Sequence, residues 1–542
     1  MVDAPAPRRV AATAAAGLAI ALVLSGCTAS GPADPSAPGT TAAPASSADP
    51  AQVRLTAATT GIHPITGTGP DLALATSRAL FAHAPAVVVL DDAEGGADSG
   101  AAHAAAERAQ QLGVPLLLAP GSEKQARALD AELTRLGATT VIRYGAATDS
   151  DHTDAAPTDS AASAAASDQA AGPSFGAGVK VIDGADPQAA IPDVQAAAPG
   201  TARAAVTVKG SADAGTRAGL ATARAAGAAT HTMASADPRT DANRGFFRKH
   251  ADAALYPIGQ GFGPAREFAA LAATAATGPE LPGGGQIVFP DRRMVALYGT
   301  PGTASLGLLG EQGVDAAIRR ARKQAAAYQP YSKEKVQPAF EIIATVASAS
   351  AGQDGTYSTY VPVKKIETWV KAARKAGVYV VLDLQPGRND FLTQARHYRQ
   401  LLEYPNVGLA FDPEWRLKPG QKHMAQIGSV DASEINRTND WLAELTRKNR
   451  LPQKVVILHQ FQRRMISHRE DLDTSHPELA LVLHADGNGT PGQKLATWNN
   501  LRRDLPKGIR MAWKNFIDED SPTFTPQQTY ALDPKPWFVS YQ

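Results

Sequence analysis

A chain of 542 residues is too long for one ordinary hydrophobic core, so two or three domains are expected. Hydrophobic residues make up 44% and charged residues 19%, a globular composition despite the abundant alanine. The formal net charge of +1 gives no basis for a nucleic-acid partner, and a single cysteine, Cys27, excludes an intramolecular disulfide and a cysteine-based zinc site. The first elements are Arg8 and Arg9, an Ala/Leu/Val-rich run over 10–24, and then Leu24-Ser25-Gly26-Cys27. A positive start, an apolar stretch and small residues in that order have the anatomy of an export signal. The run falls short of the ~20 residues that a membrane-spanning helix needs.

Leu24-Ser25-Gly26-Cys27 resembles a bacterial lipobox. That resemblance implies cleavage before Cys27, attachment of a diacylglycerol to its thiol, and an extracytoplasmic protein anchored to the cell membrane by lipid. The Arg8-Arg9 pair lacks the rest of a twin-arginine motif, which favours the general secretory route. Residues 28–58 follow as a tether: as far as about residue 52 they are Thr, Ala, Ser, Pro and Gly with almost no large apolar side chain. Such a segment cannot bury enough surface to offset its ordering entropy.

From 59 to 285 the pattern is alanine-rich α/β. Helical spacing at 72–83, 101–112 and 122–136 alternates with apolar strand runs at 86–90, 114–118 and 139–143, the sign of a parallel sheet. An Ala/Ser/Asp stretch at 149–172 reads as a disordered insertion, and weaker strand candidates follow at 204–208 and 253–258. The order Ala75-Thr-Ser-Arg-Ala-Leu-Phe81, Ala86-Val-Val-Val-Leu90, Val114-Pro-Leu-Leu-Leu118, Leu133-Thr-Arg-Leu-Gly137 and Val141-Ile142 resembles one copy of the cell-wall-binding repeat of Gram-positive surface proteins. It implies a wall-glycan partner. Pro282-Gly283-Gly284-Gly285 precedes a strand rather than a helix, so it reads as a linker or turn and not as a phosphate cradle. All six tryptophans lie beyond it.

Residues 286–542 carry eight strand candidates, at 294–298, 340–345, 378–384, 407–411, 454–459, 479–484, 509–514 and 537–540. Amphipathic helices at 314–328, 364–376, 391–403, 433–449 and 494–503 separate most of them. The fold class is therefore α/β: an N-terminal parallel-sheet domain followed by a C-terminal (β/α)₈ TIM-like barrel. In that fold chemistry sits at the C-terminal ends of the strands. Polar residues collect there: Tyr298; Asp383, Gln385 and Arg388; Asp412, Glu414 and Trp415; His459 and Gln460; His484 and Asp486; Trp513 and Lys514.

Asp412 and Glu414 are two apart, so on an extended segment they share a face, and mutual repulsion raises one carboxyl toward the range of a general acid. Phe411-Asp412-Pro413-Glu414-Trp415 is similar to the Asp-x-Glu strand-four motif of chitinase-like glycoside hydrolases, with Gly408 and Ala410 where that motif continues upstream with aspartates. The resemblance implies Glu414 as acid and Asp412 as its support. The leading expectation is a glycoside hydrolase-like enzyme acting on envelope or extracellular glycan. Glu414, Asp412 and Asp383 are its catalytic candidates, and Tyr298, Arg388, Trp415, His459, Gln460, His484, Asp486, Trp513 and Lys514 its substrate-binding ones. No cofactor and no metal is expected. Two alternatives stay open: a metal-dependent barrel hydrolase using the same Asp, Glu and His residues, and a non-catalytic wall-glycan-binding lipoprotein. Asp412 as a helix cap, an Asp383–Arg388 ion pair, and His459 and His484 as satisfied core histidines are the structural alternatives for single residues.

The anchor is testable by itself. Cys27→Ser is expected to release the protein into the medium or to leave the precursor uncleaved, as read by fractionation and mass spectrometry; unchanged membrane partitioning with normal maturation would contradict it.

Overall fold

In a computed structural model the protein is described at residue 49 and over 51–91, 99–145, residue 175, 178–198, 200–210 and 213–542. Cys27, the export segment, most of the tether and the 149–172 insertion lie outside the described residues. No helix among the described residues is long and apolar enough to cross a membrane.

The N-terminal half holds two four-stranded parallel sheets. One runs Leu116–Leu118, Ala86–Leu90, Thr140–Tyr144, Lys180–Asp183 in spatial order; the other runs Gly61–Ile62, Ala254–Pro257, Arg203–Val208, Ala229–Met233. Short all-apolar runs suit strands covered on both faces, and Ala86–Leu90 is buried along its whole length. Helix Gly69–Leu80 starts and ends three residues before the expected 72–83. Pro70 sits in its first turn, where the missing N–H has no intrahelical role, and Phe81 is already extended. Residues 81–83 instead form a short strand that pairs antiparallel with Arg54–Leu55. Val53 is buried too, so the last part of the expected tether belongs to the fold. A two-residue strand carries too little pattern to be seen in the sequence.

The C-terminal half is an eight-stranded, all-parallel closed barrel. Its strands are β1 (Arg292–Gly299), β2 (Lys335–Ala347), β3 (Tyr379–Leu384), β4 (Val407–Phe411), β5 (Lys454–Gln460), β6 (Leu479–Ala485), β7 (Arg510–Asn515) and β8 (Phe538–Tyr541). Each pairs with the next, and β8 pairs with β1 to close the ring. All eight coincide with the expected strands to within a few residues. β2 is the exception in length: it begins five residues early and continues into an antiparallel hairpin with Ser358–Tyr360. Helices Val314–Tyr328, Val363–Lys375, Phe391–His397 with Arg399–Leu402, Ala432–Lys448 and Pro491–Leu501 lie between strands as the amphipathic spacing predicts. Between β5 and β6 there is no α-helix but two 3₁₀ turns, Arg463–Met465 and Arg469–Asp471, with a two-residue strand, Ile466–Ser467, that pairs with Val430–Asp431.

Side-chain parity divides the barrel's apolar residues in two. Val295, Leu297, Phe340, Ile342, Val380, Leu382, Leu409, Val456 and Leu483 pack outward against the helices. Met294, Ala296, Ala339, Tyr379, Val381, Ala410, Val455, Ile457, Val482, Ala512 and Phe538 fill the inside. The inner cluster also takes Leu281, Val288 and Phe289, which precede β1 and close the N-terminal end of the barrel. The glycine run between them is a tight turn. Leu281 and Gly284–Gly285 exchange backbone bonds of 2.8 and 2.9 Å, and the Arg292 guanidinium donates to the Pro282 and Gly284 carbonyls.

The same end of the barrel meets the N-terminal half. The Gln286 amide donates to the carbonyls of Thr274 and Gly278, Arg239 donates to the Pro477 carbonyl ahead of β6, and Arg450, ahead of β5, donates to Thr277 Oγ1. The C-terminal ends of the strands face the other way. Leu281→Ala is expected to destabilise the barrel by about 2–5 kcal/mol, the range for emptying a buried leucine site. Denaturant unfolding followed by tryptophan fluorescence reads this, since every tryptophan is in the barrel half. An unchanged midpoint would mean that the turn is only a connector.

Candidate active site

Along each strand, inward positions alternate with outward ones. Above the apolar inner layer, every strand supplies one polar side chain to the inside: Tyr298 from β1, Glu341 from β2, Asp383 from β3, Asp412 just past β4, His459 from β5, His484 from β6, Lys514 from β7 and Ser540 from β8. All eight are buried, at 4% exposure or less. Asp486 and Glu414 continue this set into the loops after β6 and β4.

These groups are wired together. His459 lies between two carboxylates, its Nε2 2.8 Å from Glu341 Oε1 and its Nδ1 2.8 Å from Asp486 Oδ2. Glu341 and Asp486 are both held in the ionised form, so each ring nitrogen carries a proton and His459 is an imidazolium. Burial opposes that charge, but Glu341 and Asp486 outweigh it and hold the ring well above its ordinary range. Lys514 Nζ stands 3.0 Å from Asp486 Oδ1 and 3.8 Å from the centroid of the Tyr298 ring. Tyr298 donates its hydroxyl to Asp383 Oδ2 at 2.7 Å. The His484 ring lies 4.7 Å from that of His459, with its Nε2 3.1 Å from Ser540 Oγ.

Five carboxyl groups thus share the mouth with two cations, and their proton affinities separate. Burial favours the neutral form of Asp486, yet Lys514 and His459 pull its carboxyl below the usual range. Glu341 is likewise lowered, by His459 against burial. The other three go up. Burial, then the charge of Asp486, lifts Glu414 to about 7. Burial lifts Asp383 to about 6. Asp412 is raised well above the ordinary aspartate value by burial, then by Glu414 and Asp383. His484 is pushed down to about 4, by burial and then by the neighbouring imidazolium, so it is neutral.

Above this layer opens a cavity of about 320 Å³, lined among others by Tyr298, Gln385, Glu414, Trp415, Asp486 and Lys514, with Phe461 and Phe516 adding aromatic surface. Asp383, Asp412, His459 and His484 lie beneath its floor. The approach of Asp412 and Glu414 has a different cause from the expected one. Pro413–Trp415 form a 3₁₀ turn, not an extended segment. The turn nevertheless brings oxygens of Asp412, Glu414 and Asp486 within 4.8 Å of one another. Gly428 is tied to that turn, its N–H donating to the Glu414 carbonyl at 2.7 Å; a Cβ there would stand 2.5 Å from the carbonyl oxygens of Glu414 and Arg416.

Three expected residues are brought neither to the cavity nor to the polar layer beneath it. Trp513 precedes the inward Lys514, so it points outward onto Trp498 and Phe524. Gln460 follows the inward His459 and donates to the carbonyls of Gln462 and Arg463. Arg388 lies over the Tyr357 ring and donates to the Gln421 carbonyl, with no link to Asp383. Glu341 was not foreseen. Its signal is a lone carboxylate inside the apolar run Ala339-Phe340-Glu341-Ile342-Ile343. Gly408, which replaces an aspartate of the chitinase-like pattern, has a packing reason: a Cβ there would meet Val455 O at 2.5 Å and the Tyr379 hydroxyl at 2.9 Å.

Two groups of site residues are close enough to surround a metal ion: Glu341 with His459 and His484, and Asp412 with Glu414 and Asp486. In the first, both His459 nitrogens are engaged by carboxylates. In the second, Lys514 already brings a positive charge to Asp486. Asp412 Oδ1, Asp383 Oδ1, Glu341 Oε2 and His484 Nδ1 are buried with no hydrogen-bond partner among the described residues, unspent polar capacity of the kind that concentrates at functional sites. No family model and no curated protein matches the chain.

The raised carboxyls have a consequence for stability. A carboxyl whose folded-state pKa is raised stabilises below its unfolded value, and that contribution is lost as pH rises through the folded value. For Asp383 and Glu414 the loss runs from about 4 up through about 6 and about 7. The melting temperature is therefore expected to fall between about pH 5 and 8, and Glu414→Gln is expected to flatten that fall. An identical slope in the variant would show that Glu414 does not hold a proton in this range.

Proposed function

We propose that the barrel is a glycoside hydrolase-like enzyme acting on envelope or extracellular polysaccharide, carried by a lipoprotein anchored through Cys27. The observation that supports the reading is the pairing of Glu414 and Asp486 on one cavity wall. Glu414 holds its proton up to about 7, while Asp486 beside it is kept ionised. Two neighbouring carboxyls with proton affinities pushed apart are what acid-assisted cleavage of a glycosidic bond requires. Trp415, Phe461 and Phe516 offer flat apolar surface to sugar rings. In this reading Glu414 protonates the departing oxygen, and Asp412 beneath it, itself raised, adds no second negative charge next to that of Asp486. Tyr298, which also lines the cavity, orients the sugar.

The acidic trio also favours a second reading, a metal-dependent hydrolase. Lys514 argues against it, because a divalent ion on Asp486 would meet an ammonium that already stands 3.0 Å from that carboxylate. A wall-glycan-binding role for the N-terminal half is compatible with either chemistry.

The test is release of reducing ends from a panel of purified envelope polysaccharides. Glu414→Gln preserves shape and removes the transferable proton, so turnover is expected to drop about 10²–10⁴-fold, the usual share of general acid catalysis. Melting temperature near pH 5 is expected to stay the same, since the native residue is neutral there. Glycan binding without turnover by the wild type, unchanged in Glu414→Gln, would instead make the barrel a binding module.

A further inference from the structure

We infer that Asp486, rather than Asp412 or Asp383, is the second reacting carboxylate: the nucleophile that attacks the anomeric carbon of the sugar while Glu414 protonates the departing oxygen. The inference rests on the glycoside hydrolase reading of this site and deepens it.

Position decides among the three aspartates. Asp486 lines the cavity together with Glu414, whereas Asp383 and Asp412 lie under its floor, with Asp383 covered by the Tyr298 hydroxyl. Charge decides in the same direction. A nucleophile must be ionised before substrate arrives, and each Asp486 oxygen faces a cation: Lys514 at 3.0 Å from Oδ1 and His459 at 2.8 Å from Oδ2. Glu341, on the far nitrogen of His459, fixes the ring and keeps it charged. Lys514, His459 and Glu341 are thus positioning residues that act through Asp486. Spacing points to retention. An Asp486 oxygen and a Glu414 oxygen lie no more than 4.8 Å apart, well short of the ~6.5–9.5 Å that leaves room for a water between the two carboxyls of an inverting enzyme.

The chemistry then has two steps. An Asp486 oxygen forms a bond to the anomeric carbon as the glycosidic C–O bond breaks; that electron pair goes to the departing oxygen, which takes the Glu414 proton. Water next attacks the anomeric carbon of the glycosyl ester and gives one proton to the Glu414 carboxylate. The ester C–O electron pair returns to Asp486, and both side chains are restored.

The test uses the full chain and the polysaccharide that it cleaves in the reducing-end assay. ¹H NMR of the first products from the wild type is expected to show the anomeric configuration of the substrate. Acid quenching of Glu414→Gln during turnover of a 2,4-dinitrophenyl glycoside of the same sugar is expected to leave a glycosyl mass on the peptide that carries Asp486. Lys514→Met is expected to move the acidic limb of kcat/KM to higher pH, whereas a purely structural lysine would lower melting temperature and leave that limb in place. Inverted product, or a glycosyl mass on a peptide that carries Asp383 or Asp412, overturns the assignment of Asp486 and leaves the acid role of Glu414 standing. Absence of turnover on every polysaccharide overturns the reading on which both rest.

Discussion

An imidazolium clamped between Glu341 and Asp486 sets the electrostatics of the barrel mouth. Burying a charge is costly unless it is paired and hydrogen-bonded, and removing one member of a buried pair leaves an uncompensated charge worth about 3–5 kcal/mol of destabilisation. In the polar layer at the mouth the cations are His459 and Lys514, and they are spent on Glu341 and Asp486. Asp383, Asp412 and Glu414 are left without a cation of their own, and the site accommodates them by keeping protons on them. A proton on Glu414 near neutrality follows from this count of charges, with no special partner for Glu414 required.

The fold makes that crowding possible. A closed parallel barrel turns alternate residues of every strand toward one axis, and here the inward positions in the middle of the barrel are apolar while each strand carries one polar residue above them. Leu281, Val288 and Phe289 close the opposite end, where Gln286, Arg450 and Pro477 meet the N-terminal half. The polar mouth at the open end is thereby separated from the end that meets the N-terminal half. The loop that carries Glu414 is held by the Gly428 bond to its backbone and by Trp415, whose ring meets the His423 ring edge-on at 5.3 Å. Glu414 thus sits on a braced turn.

The strands were legible because buried parallel strands are short, nearly continuous apolar runs, and because the polar residues that follow them mark the mouth. Parity inside those runs was harder. Trp513 and Lys514, or His459 and Gln460, are neighbours in sequence and face opposite ways, and only the register of the whole barrel says which one enters. Glu341 was hidden for the converse reason: it is the inward residue of a strand that keeps going, so no polar loop follows it. Asp412 and Glu414 were found by a spacing argument that assumed an extended segment. With Pro413 at its first position the segment is a 3₁₀ turn instead, and that turn brings the two carboxyls together beside Asp486. The pairing of Arg54–Leu55 with residues 81–83 was not legible, since two residues have no period.

The central claim is that a proton resides on Glu414 next to an ionised Asp486. A pH series of difference infrared spectra, wild type against Glu414→Gln, reads it directly through the C=O stretch of protonated carboxyls. The account predicts a protonated-carboxyl band in the wild type that titrates near 7, is missing from Glu414→Gln, and leaves the deeper Asp412 contribution in place. A band with the same amplitude in both proteins, or one that titrates near the ordinary glutamate value, would contradict it.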